Sequence, residues 1–170
     1  MNAFEIIGGK PLKGEITPQG AKNEALQIIS AVLLTEKKVT ISNIPDIKDV
    51  NKLIELLSDL GVTIERINKD TYTFEAKNID LDFFQSAVFR TKGGSLRGSI
   101  MIVGPLLARF GKAAIPKPGG DKIGRRRLDT HFLGFEKLGA RFDYDAKTNF
   151  FTVDATNLKG TYILLDEASV

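Results

Sequence analysis

The sequence predicts an α/β protein built from repeated βαβαββ units. Two observations support this prediction. Segments with strand-like alternation and segments with apolar residues at helical spacing follow one another along the 170 residues. The same order also occurs twice, because Asp59–Val62 matches Lys137–Ala140 at an offset of 78 residues and Tyr72–Ala76 matches Phe151–Ala155 at an offset of 79. Such an internal repeat indicates one supersecondary unit used twice.

The first copy opens with two short strand patterns and continues with a helix whose broad apolar face predicts extensive burial. A strand, a second amphipathic helix that ends at a glycine, and a hairpin then complete the copy. The predicted elements are strands at Phe4–Ile7 and Glu15–Thr17, a helix from Ala21 to Leu33, a strand at Lys38–Ile41, a helix from Val50 to Leu60, and a hairpin of Val62–Ile64 with Thr71–Phe74.

The second copy follows the same programme with one difference in length. Leu33-Leu34 matches Leu106-Leu107 at an offset of 73, so the second copy has gained about five residues before its second helix. A third unit is predicted to begin at Thr161–Leu165, and we therefore expect a fragment of a longer protein. The predicted elements are a helix at Arg97–Ala108, a strand at Ala113–Ile115, a helix at Leu128–Leu138, and a hairpin of Ala140–Tyr144 with Phe150–Val153.

The amino-acid composition excludes several classes of site and of protein. There is no cysteine and only one histidine, His131, which excludes disulfides and a histidine or thiolate metal cluster. No apolar segment resembles a secretory signal, and the longest apolar run, Ile100–Ala108, is too short to span a membrane. A net charge of +3 does not require a nucleic-acid partner. We therefore expect a soluble cytoplasmic protein without a membrane partner.

Positive charge is concentrated around residues 118–127, hereafter the Gly/Arg loop. It contains three glycines and three consecutive arginines, and Asp121 is its only carboxylate. Glycine allows a ligand to approach the backbone, and arginine suits phosphate or carboxylate groups. The added residues of the second copy most plausibly lie here, and the loop is predicted to bind an anion. The alternative is a solvated basic turn.

Three predicted helices begin with cations, namely Lys22, Arg97 and Arg125–Arg127. A cation is unfavourable at a helix N-terminus unless an anion joins it there. The alternatives are independent solvated side chains, or RNA binding by the same arginines with Phe110 or Phe132 stacking on bases. His131 is interpreted as a capping or packing residue on the first turn of its helix.

Three motifs carry a resemblance to a known family: Gly20–Leu26, Pro118–Gly120 and Ile123–His131. Together they resemble UDP-N-acetylglucosamine enolpyruvyl transferases, from about Gly14 to the end of the chain. The resemblance implies a two-domain inside-out α/β barrel with three repeats in each domain. Residues 1–20 would then be strands that complete the other domain, and residues 21–170 would be an enolpyruvyl transferase domain with two repeats and the start of a third.

The resemblance also implies an activity. The family transfers the enolpyruvyl group of phosphoenolpyruvate to the 3′-hydroxyl of UDP-N-acetylglucosamine with release of phosphate, which is the first committed step of peptidoglycan synthesis. No cofactor is implied. The chain by itself is expected to be inactive, because the base and one phosphate-binding arginine would lie in the other part of the enzyme. The alternative is a non-catalytic basic module that binds RNA or phosphate.

The implied site residues are named by their match to the family motifs. Lys22 and Arg126 would hold phosphoenolpyruvate, and Asn23 would hold the sugar. Asp121 stands at the position of the general acid, where most members carry cysteine. The nucleotide-sugar site would be lined by Arg97, Arg126, Arg127, Leu128, Asp129 and Thr130, with Glu167, Ala168, Ser169 and Val170 close to it.

Overall fold

The computed structural model describes residues 3–117, 119 and 128–165, and within them it shows two copies of one α/β unit. The first copy contains α1 (Lys22–Ala31), β1 (Val39–Ile41), α2 (Lys48–Asp59), β2 (Thr63–Arg66) and β3 (Tyr72–Glu75), with a 3₁₀ turn at Val32–Leu34. The second contains α3 (Ala87–Gly94), α4 (Val103–Phe110), β4 (Lys112–Pro116), α5 (Asp129–Lys137), β5 (Arg141–Asp145) and β6 (Phe150–Asp154), with 3₁₀ turns at Asp82–Gln85 and Arg97–Ile102.

Each copy contributes one three-stranded antiparallel sheet, and the two sheets have the same strand order. The first sheet runs β1-β3-β2 and the second runs β4-β6-β5, so the last strand of each copy lies in the middle. Each central strand pairs with its hairpin partner and with the strand that precedes the amphipathic helix. The predicted α/β class and its internal repeat are therefore confirmed.

The strand registers fix the offset between the copies. Val39 pairs with Phe74, and Ala113 pairs with Val153, so the first strands are related by an offset of 74. The preceding helices obey the same offset, because the buried pair Val32 and Leu33 matches the buried pair Leu106 and Leu107, whereas Leu34 is exposed. The match of Leu33 to Leu106 at an offset of 73 was therefore wrong by one residue.

The offset is larger at the next helix. Gly61 N–H donates to the Ser58 carbonyl and Gly139 N–H donates to the Glu136 carbonyl, which is an offset of 78. The second copy has thus gained four residues rather than five. They lie between β4 and α5, as predicted, and this connection contains the Gly/Arg loop.

Helix α3 and the start of the following helix differ from the prediction. Ser86 begins α3, since its hydroxyl accepts a hydrogen bond of 3.0 Å from the Phe89 N–H. Gly93 and Gly94 belong to the end of this helix, although glycine is a poor helix former. The predicted helix at Arg97–Ala108 is in fact a 3₁₀ turn followed by α4, which continues to Phe110.

Three predicted strands are not formed in the structure. Phe4–Ile7, Glu15–Thr17 and Thr161–Leu165 carry no strand assignment, because no described strand pairs with them. Their apolar side chains are exposed except for the half-buried Ile163, for example Ile6 at 89% and Ile16 at 94%. The role of residues 1–20 in another domain stays a prediction.

One apolar core extends through both copies. It includes leucines of α2, the central strands of both sheets and the helices α1 and α4. Phe89 of α3 is fully buried and makes edge contacts with Phe84 and Phe150, so its ring packs α3 within the second copy. Helix α3 also packs against α2 of the first copy and thereby joins the two copies. Among the residues that the structure describes, no helix is long and apolar enough to cross a membrane.

Candidate functional site

The starts of three helical segments meet at one cleft of about 870 Å³. Lys22 and Asn23 come from the first turn of α1, and Lys48 and Asp49 come from the first turn of α2. Arg97 begins the 3₁₀ turn that leads to α4. The first peptide N–H groups of a helix have no partner within the helix, and helix starts therefore favour anions.

The charged groups of the cleft are strongly unequal in sign. Its described lining contains the cations Lys22, Lys48, Lys52 and Arg97, and Asp49 is the carboxylate among these residues. Such an arrangement would be repulsive without an anion, since like charges brought together in a concave site reinforce one another. The geometry is that of a binding site for a ligand with several negative charges.

Two of the lysines have defined partners. The Lys22 ammonium lies 3.2 Å from Asp49 Oδ2, with both side chains about half exposed, so this ion pair joins α1 to α2. The Lys52 ammonium donates to the carbonyl of Ser95 at 3.3 Å. Exposed ion pairs of this kind are weak, so an anionic ligand can compete with them at little cost.

Two glycines fix the backbone around the cleft. A Cβ atom on Gly20, just before α1, would lie 2.0 Å from the Asn43 carbonyl oxygen. A Cβ atom on Gly119, in the Gly/Arg loop, would lie 2.1 Å from the Gly94 carbonyl oxygen. Both approaches require glycine, because any side chain would collide with backbone. They place α1 beside the start of α2, and the beginning of the Gly/Arg loop beside the end of α3.

An ion pair next to the cleft holds α3 against α2. The Lys92 ammonium of α3 donates to Asp59 at the end of α2. This hydrogen bond, assisted by the negative charges of Asp59 and Glu55, raises the pKa of Lys92 above its ordinary value of 10.5. Lys92 therefore stays charged throughout the physiological range and serves the packing of the two helices.

The structure brings together part of the predicted site. Lys22, Asn23, Arg97 and Leu128 all line the cleft. Asp129 and Thr130 follow Leu128 in the first turn of α5. The Thr130 hydroxyl is buried and has no hydrogen-bond partner within residues 3–117, 119 and 128–165. The remaining predicted site residues, Asp121, Arg126, Arg127, Glu167, Ala168, Ser169 and Val170, lie outside the described residues.

Among the described lining residues that were not predicted to belong to a site, four are titratable, namely Lys48, Asp49, Lys52 and His131. His131 was interpreted as a capping or packing residue, but it is exposed and lines the cleft. The repeat held a signal for one of the other three. At the offset of 78 residues Lys48, the first residue of α2, corresponds to Arg126, so both copies carry a cation at the same point of the repeat.

Comparison with known proteins shows the family of the chain. Residues 6–170 match the sequence profile described as EPSP synthase (3-phosphoshikimate 1-carboxyvinyltransferase). The chain is 59% identical over its whole length to the UDP-N-acetylglucosamine 1-carboxyvinyltransferase of Bacteroides thetaiotaomicron and 57% identical to that of Porphyromonas gingivalis. It spans 39% of the length of each of these relatives.

Solved structures confirm the fold. The enolpyruvyl transferase NikO from Streptomyces tendae superimposes with a TM-score of 0.70 at 21% identity, over 89% of this chain and 32% of that one. EPSP synthase from Acinetobacter baumannii superimposes with a TM-score of 0.67 at 20% identity, over 95% of this chain and 36% of that one. At such identities the likeness shows the fold, and the fold is that of enolpyruvyl transferases, as the sequence motifs predicted.

Proposed function

Because the chain belongs to the EPSP synthase (3-phosphoshikimate 1-carboxyvinyltransferase) family, we propose that it is part of an enzyme that makes enolpyruvyl UDP-N-acetylglucosamine. The enzyme transfers the enolpyruvyl group of phosphoenolpyruvate to the sugar 3′-hydroxyl and releases phosphate. The acceptor is proposed from the relatives at 57–59% identity, whose names specify UDP-N-acetylglucosamine. The Asn23-Glu24 pair supports the same choice, since the shikimate enzymes carry a serine-rich segment there.

The observation that carries the proposal is the meeting of four cationic side chains on one cleft at the helix starts. Both proposed substrates are polyanions, with a phosphate and a carboxylate on one and a diphosphate on the other. Fixed cations and helix N-termini bind such groups without reorganising, and they stabilise charge that develops as phosphate leaves. A cleft of about 870 Å³ also has the size of an ordinary ligand site.

The reaction requires four tasks of the protein. A proton must reach the methylene carbon of phosphoenolpyruvate, and the sugar hydroxyl must lose its proton as its oxygen attacks the neighbouring carbon. Phosphate must then leave with the C–O bond electrons, and the new methyl group must give up a proton so that the carbon–carbon double bond forms again. We assign the first task to Asp121 as general acid. Lys22 and Arg126 hold phosphoenolpyruvate, Asn23 holds the sugar, and Arg97 lies at the nucleotide-sugar site.

The nucleotide-sugar site would also include residues on both sides of the Gly/Arg loop. Lys48 and Lys52 add first-copy cations to the cleft. The residues proposed from the family match for this site are Arg97, Arg126, Arg127, Leu128, Asp129 and Thr130, with Glu167, Ala168, Ser169 and Val170 near it. We also propose a division into two domains: residues 1–20 belong to the second domain of the whole enzyme, and residues 21–170 belong to the first. Because the proposed enzyme uses phosphoenolpyruvate, we also propose that it is located in the cytoplasm.

The proposal is tested on the protein extended to the full length of its relatives. Lys22→Ala should raise KM for phosphoenolpyruvate and lower kcat/KM about 10- to 100-fold, since a charge-assisted hydrogen bond contributes about 1.5–3 kcal/mol. Lys77→Ala is the matched control, because Lys77 is an exposed lysine that does not line the cleft. Phosphate release from phosphoenolpyruvate with UDP-N-acetylglucosamine is the measurement, and unchanged kinetics in the Lys22 variant would reject the assignment.

The RNA-binding alternative receives no support from the structure. Phe132 packs on Phe142 and Phe151, each at 4.9 Å between ring centroids, and Phe110 carries the Arg109 guanidinium at 4.6 Å. Both rings proposed for base stacking are therefore used in packing. Titration with UDP-N-acetylglucosamine and with an RNA oligomer separates the two functions, and saturable RNA binding that ignores the nucleotide sugar would favour the alternative.

An aspartate at position 121 has a further consequence in this proposal. The epoxide antibiotic fosfomycin alkylates the cysteine that most relatives carry there, and a carboxylate is a much poorer nucleophile than a thiolate. The full-length enzyme should therefore resist fosfomycin, and Asp121→Cys should become sensitive while keeping activity. Mass spectrometry detects the adduct. Time-dependent formation of an adduct on the unmodified enzyme would contradict this role of Asp121.

A further inference from the structure

A second cleft, of about 500 Å³, lies where the end of α4 meets the segment that follows β6. Its lining includes Leu107, Phe110 and Gly111 on one side and Ala155 and Leu158 on the other. None of these residues belongs to the candidate substrate site. The corresponding place in the first copy shows what such a cleft accommodates.

In the first copy the corresponding place is filled by Arg109. Its Nη1 donates to the carbonyls of Leu33 at 3.1 Å and Ala76 at 2.6 Å, with Thr35 at 3.5 Å. Its Nη2 contacts Glu36 Oε1 at 3.0 Å, and the side chain is only 14% exposed. A guanidinium is suited to this place, because its planar fork reaches several carbonyl oxygens at once.

The repeat relates the two places residue by residue. At the offset of 74 residues Leu33 corresponds to Leu107 and Glu36 corresponds to Phe110. At the offset of 79, Ala76 corresponds to Ala155, and both alanines are buried at the end of the central strand. The second-copy counterparts of three Arg109 partners thus line the cleft. We call this cleft the arginine socket.

We propose that the arginine socket binds the guanidinium of an arginine side chain from a further unit of the full-length protein. Arg109 belongs to the second copy and fills a socket in the first, so each socket is filled from the next unit along the chain. The relatives are longer than this chain, which spans 39% of their length, so a protein of their length has room for a third unit. The inference concerns assembly of the fold and is independent of the proposed reaction.

The two sockets differ in one side-chain partner. Glu36, which pairs with Arg109, is replaced in the second copy by Phe110, whose ring already carries the Arg109 guanidinium at 4.6 Å. The carbonyls of Leu107 and Ala155 are therefore the acceptors that correspond to those used by Arg109, and the planar fork of a guanidinium suits two such acceptors. A lysine ammonium would lack the fork that spans the carbonyls of Leu107 and Ala155.

The test is an amide NMR titration of this chain with N-methylguanidinium as the probe. Methylammonium, which has charge but no fork, and N-methylurea, which has the fork but no charge, serve as matched controls. We expect saturable chemical-shift changes at Gly111, Ala155 and Leu158 with N-methylguanidinium only. The first-copy counterparts Lys37, Ala76 and Ile79 should not respond, because Arg109 already fills their socket.

A variant tests whether the first socket binds the probe once Arg109 no longer fills it. Arg109→Ala empties the first socket, so Lys37 and Ala76 should then respond to the probe as their second-copy counterparts do. If this variant does not fold, the titration of the unmodified chain decides alone. Equal responses to all three probes, or equal responses in the two sockets of the unmodified chain, would overturn the proposal. Concentration-dependent shifts at the socket without any probe would also overturn it, since they indicate a second copy of the chain as the occupant.

Discussion

The two copies of the repeat have the same sheet and very different amphipathic helices. Helix α2 buries Val50, Leu53, Leu56 and Leu57 completely, whereas no residue of α5 is buried. The hydrogen bonds around the two helix ends are nevertheless the same. Val62 N–H donates to the Leu57 carbonyl, and Ala140 N–H donates to the Phe135 carbonyl at an offset of 78. The local sequence therefore determines where each helix ends, whereas the neighbouring elements determine how much of the helix is buried.

The neighbours differ because elements of the second copy pack on α2. Helix α2 packs against α1 and α3 as well as its own sheet, while the packing of α5 among the described elements is mainly against β5. The sequence follows this difference. Leu53 and Leu56 of α2 correspond to His131 and Gly134 of α5, so the second copy has exchanged core residues for a residue that lines the candidate cleft and a glycine.

The largest expected effect on stability comes from substituting alanine at one of these corresponding pairs, Leu56 of α2 and Gly134 of α5. Leu56→Ala should destabilise the protein by about 2–5 kcal/mol, because it opens a cavity in a fully buried position. Gly134→Ala should instead stabilise it by about 0.5–1 kcal/mol, because alanine favours a helix interior and nothing lies within 4 Å of the added Cβ. Chemical denaturation measures both free energies of unfolding. Equal costs at the two positions would contradict the account of unequal neighbours.

The contact between the copies can be weakened at Arg109. Arg109→Ala removes the donors for the Leu33 and Ala76 carbonyls, and we expect a loss of about 1.5–3 kcal/mol in the free energy of unfolding. Arg109→Lys should recover only part of this loss, since an ammonium has no fork. Arg141→Ala is the matched control, because Arg141 is an exposed arginine on β5. Full recovery by lysine would show that charge alone holds the copies together.

Both copies also depend on a glycine near the cleft. Gly119→Ala should cost about 1–3 kcal/mol, because the Gly94 backbone can move away only by disturbing the end of α3. Gly20→Ala should cost a similar amount through the Asn43 carbonyl. Gly160→Ala provides the control, since its Cβ would enter open space. The prediction fails if the three variants unfold at the same denaturant concentration.

The sequence predicted most of the fold because its repeat is local and periodic. The amphipathic helices, both hairpins and the position of the inserted residues follow from spacing alone. Helix α3 was missed because its Gly93 and Gly94 are poor helix formers, and tertiary packing against Pro116 compensates. The strand patterns at Phe4–Ile7 and Thr161–Leu165 were wrong for the chain as described, since alternation cannot supply a pairing partner.

The site was predictable where motif and helix start coincide. Lys22 and Arg97 were identified because a cation at a helix start is unfavourable without a ligand. Lys48 and Lys52 were missed because their helix reads as an ordinary amphipathic helix, and only the comparison of the two copies places them opposite the second copy's motif. The pairing of Lys22 with Asp49 joins residues 27 positions apart and requires the folded backbone.

The smallest expected effect is a difference between the two hairpin turns in how their contribution to stability changes with pH. In the first copy Arg66 closes the turn by donating to the carbonyls of Asn68 and Lys69. In the second copy the Asp145 carboxylate accepts hydrogen bonds from the Thr148 hydroxyl and the Lys147 N–H. These bonds, with that of Thr148 first, hold the pKa of Asp145 below its ordinary value of 3.8.

A lowered pKa stabilises the fold where the carboxylate is charged in both states, so the contribution is complete above pH 3.8 and is lost as the pH falls through the folded-state pKa. The stability difference between the unmodified chain and Asp145→Asn should therefore be constant near neutral pH and shrink in acid. The difference for Arg66→Gln should not change over the same range, because arginine stays charged. Urea denaturation at a series of pH values measures both. An Asp145→Asn difference that persists unchanged in acid would show that the two turns are closed by equally pH-insensitive contacts.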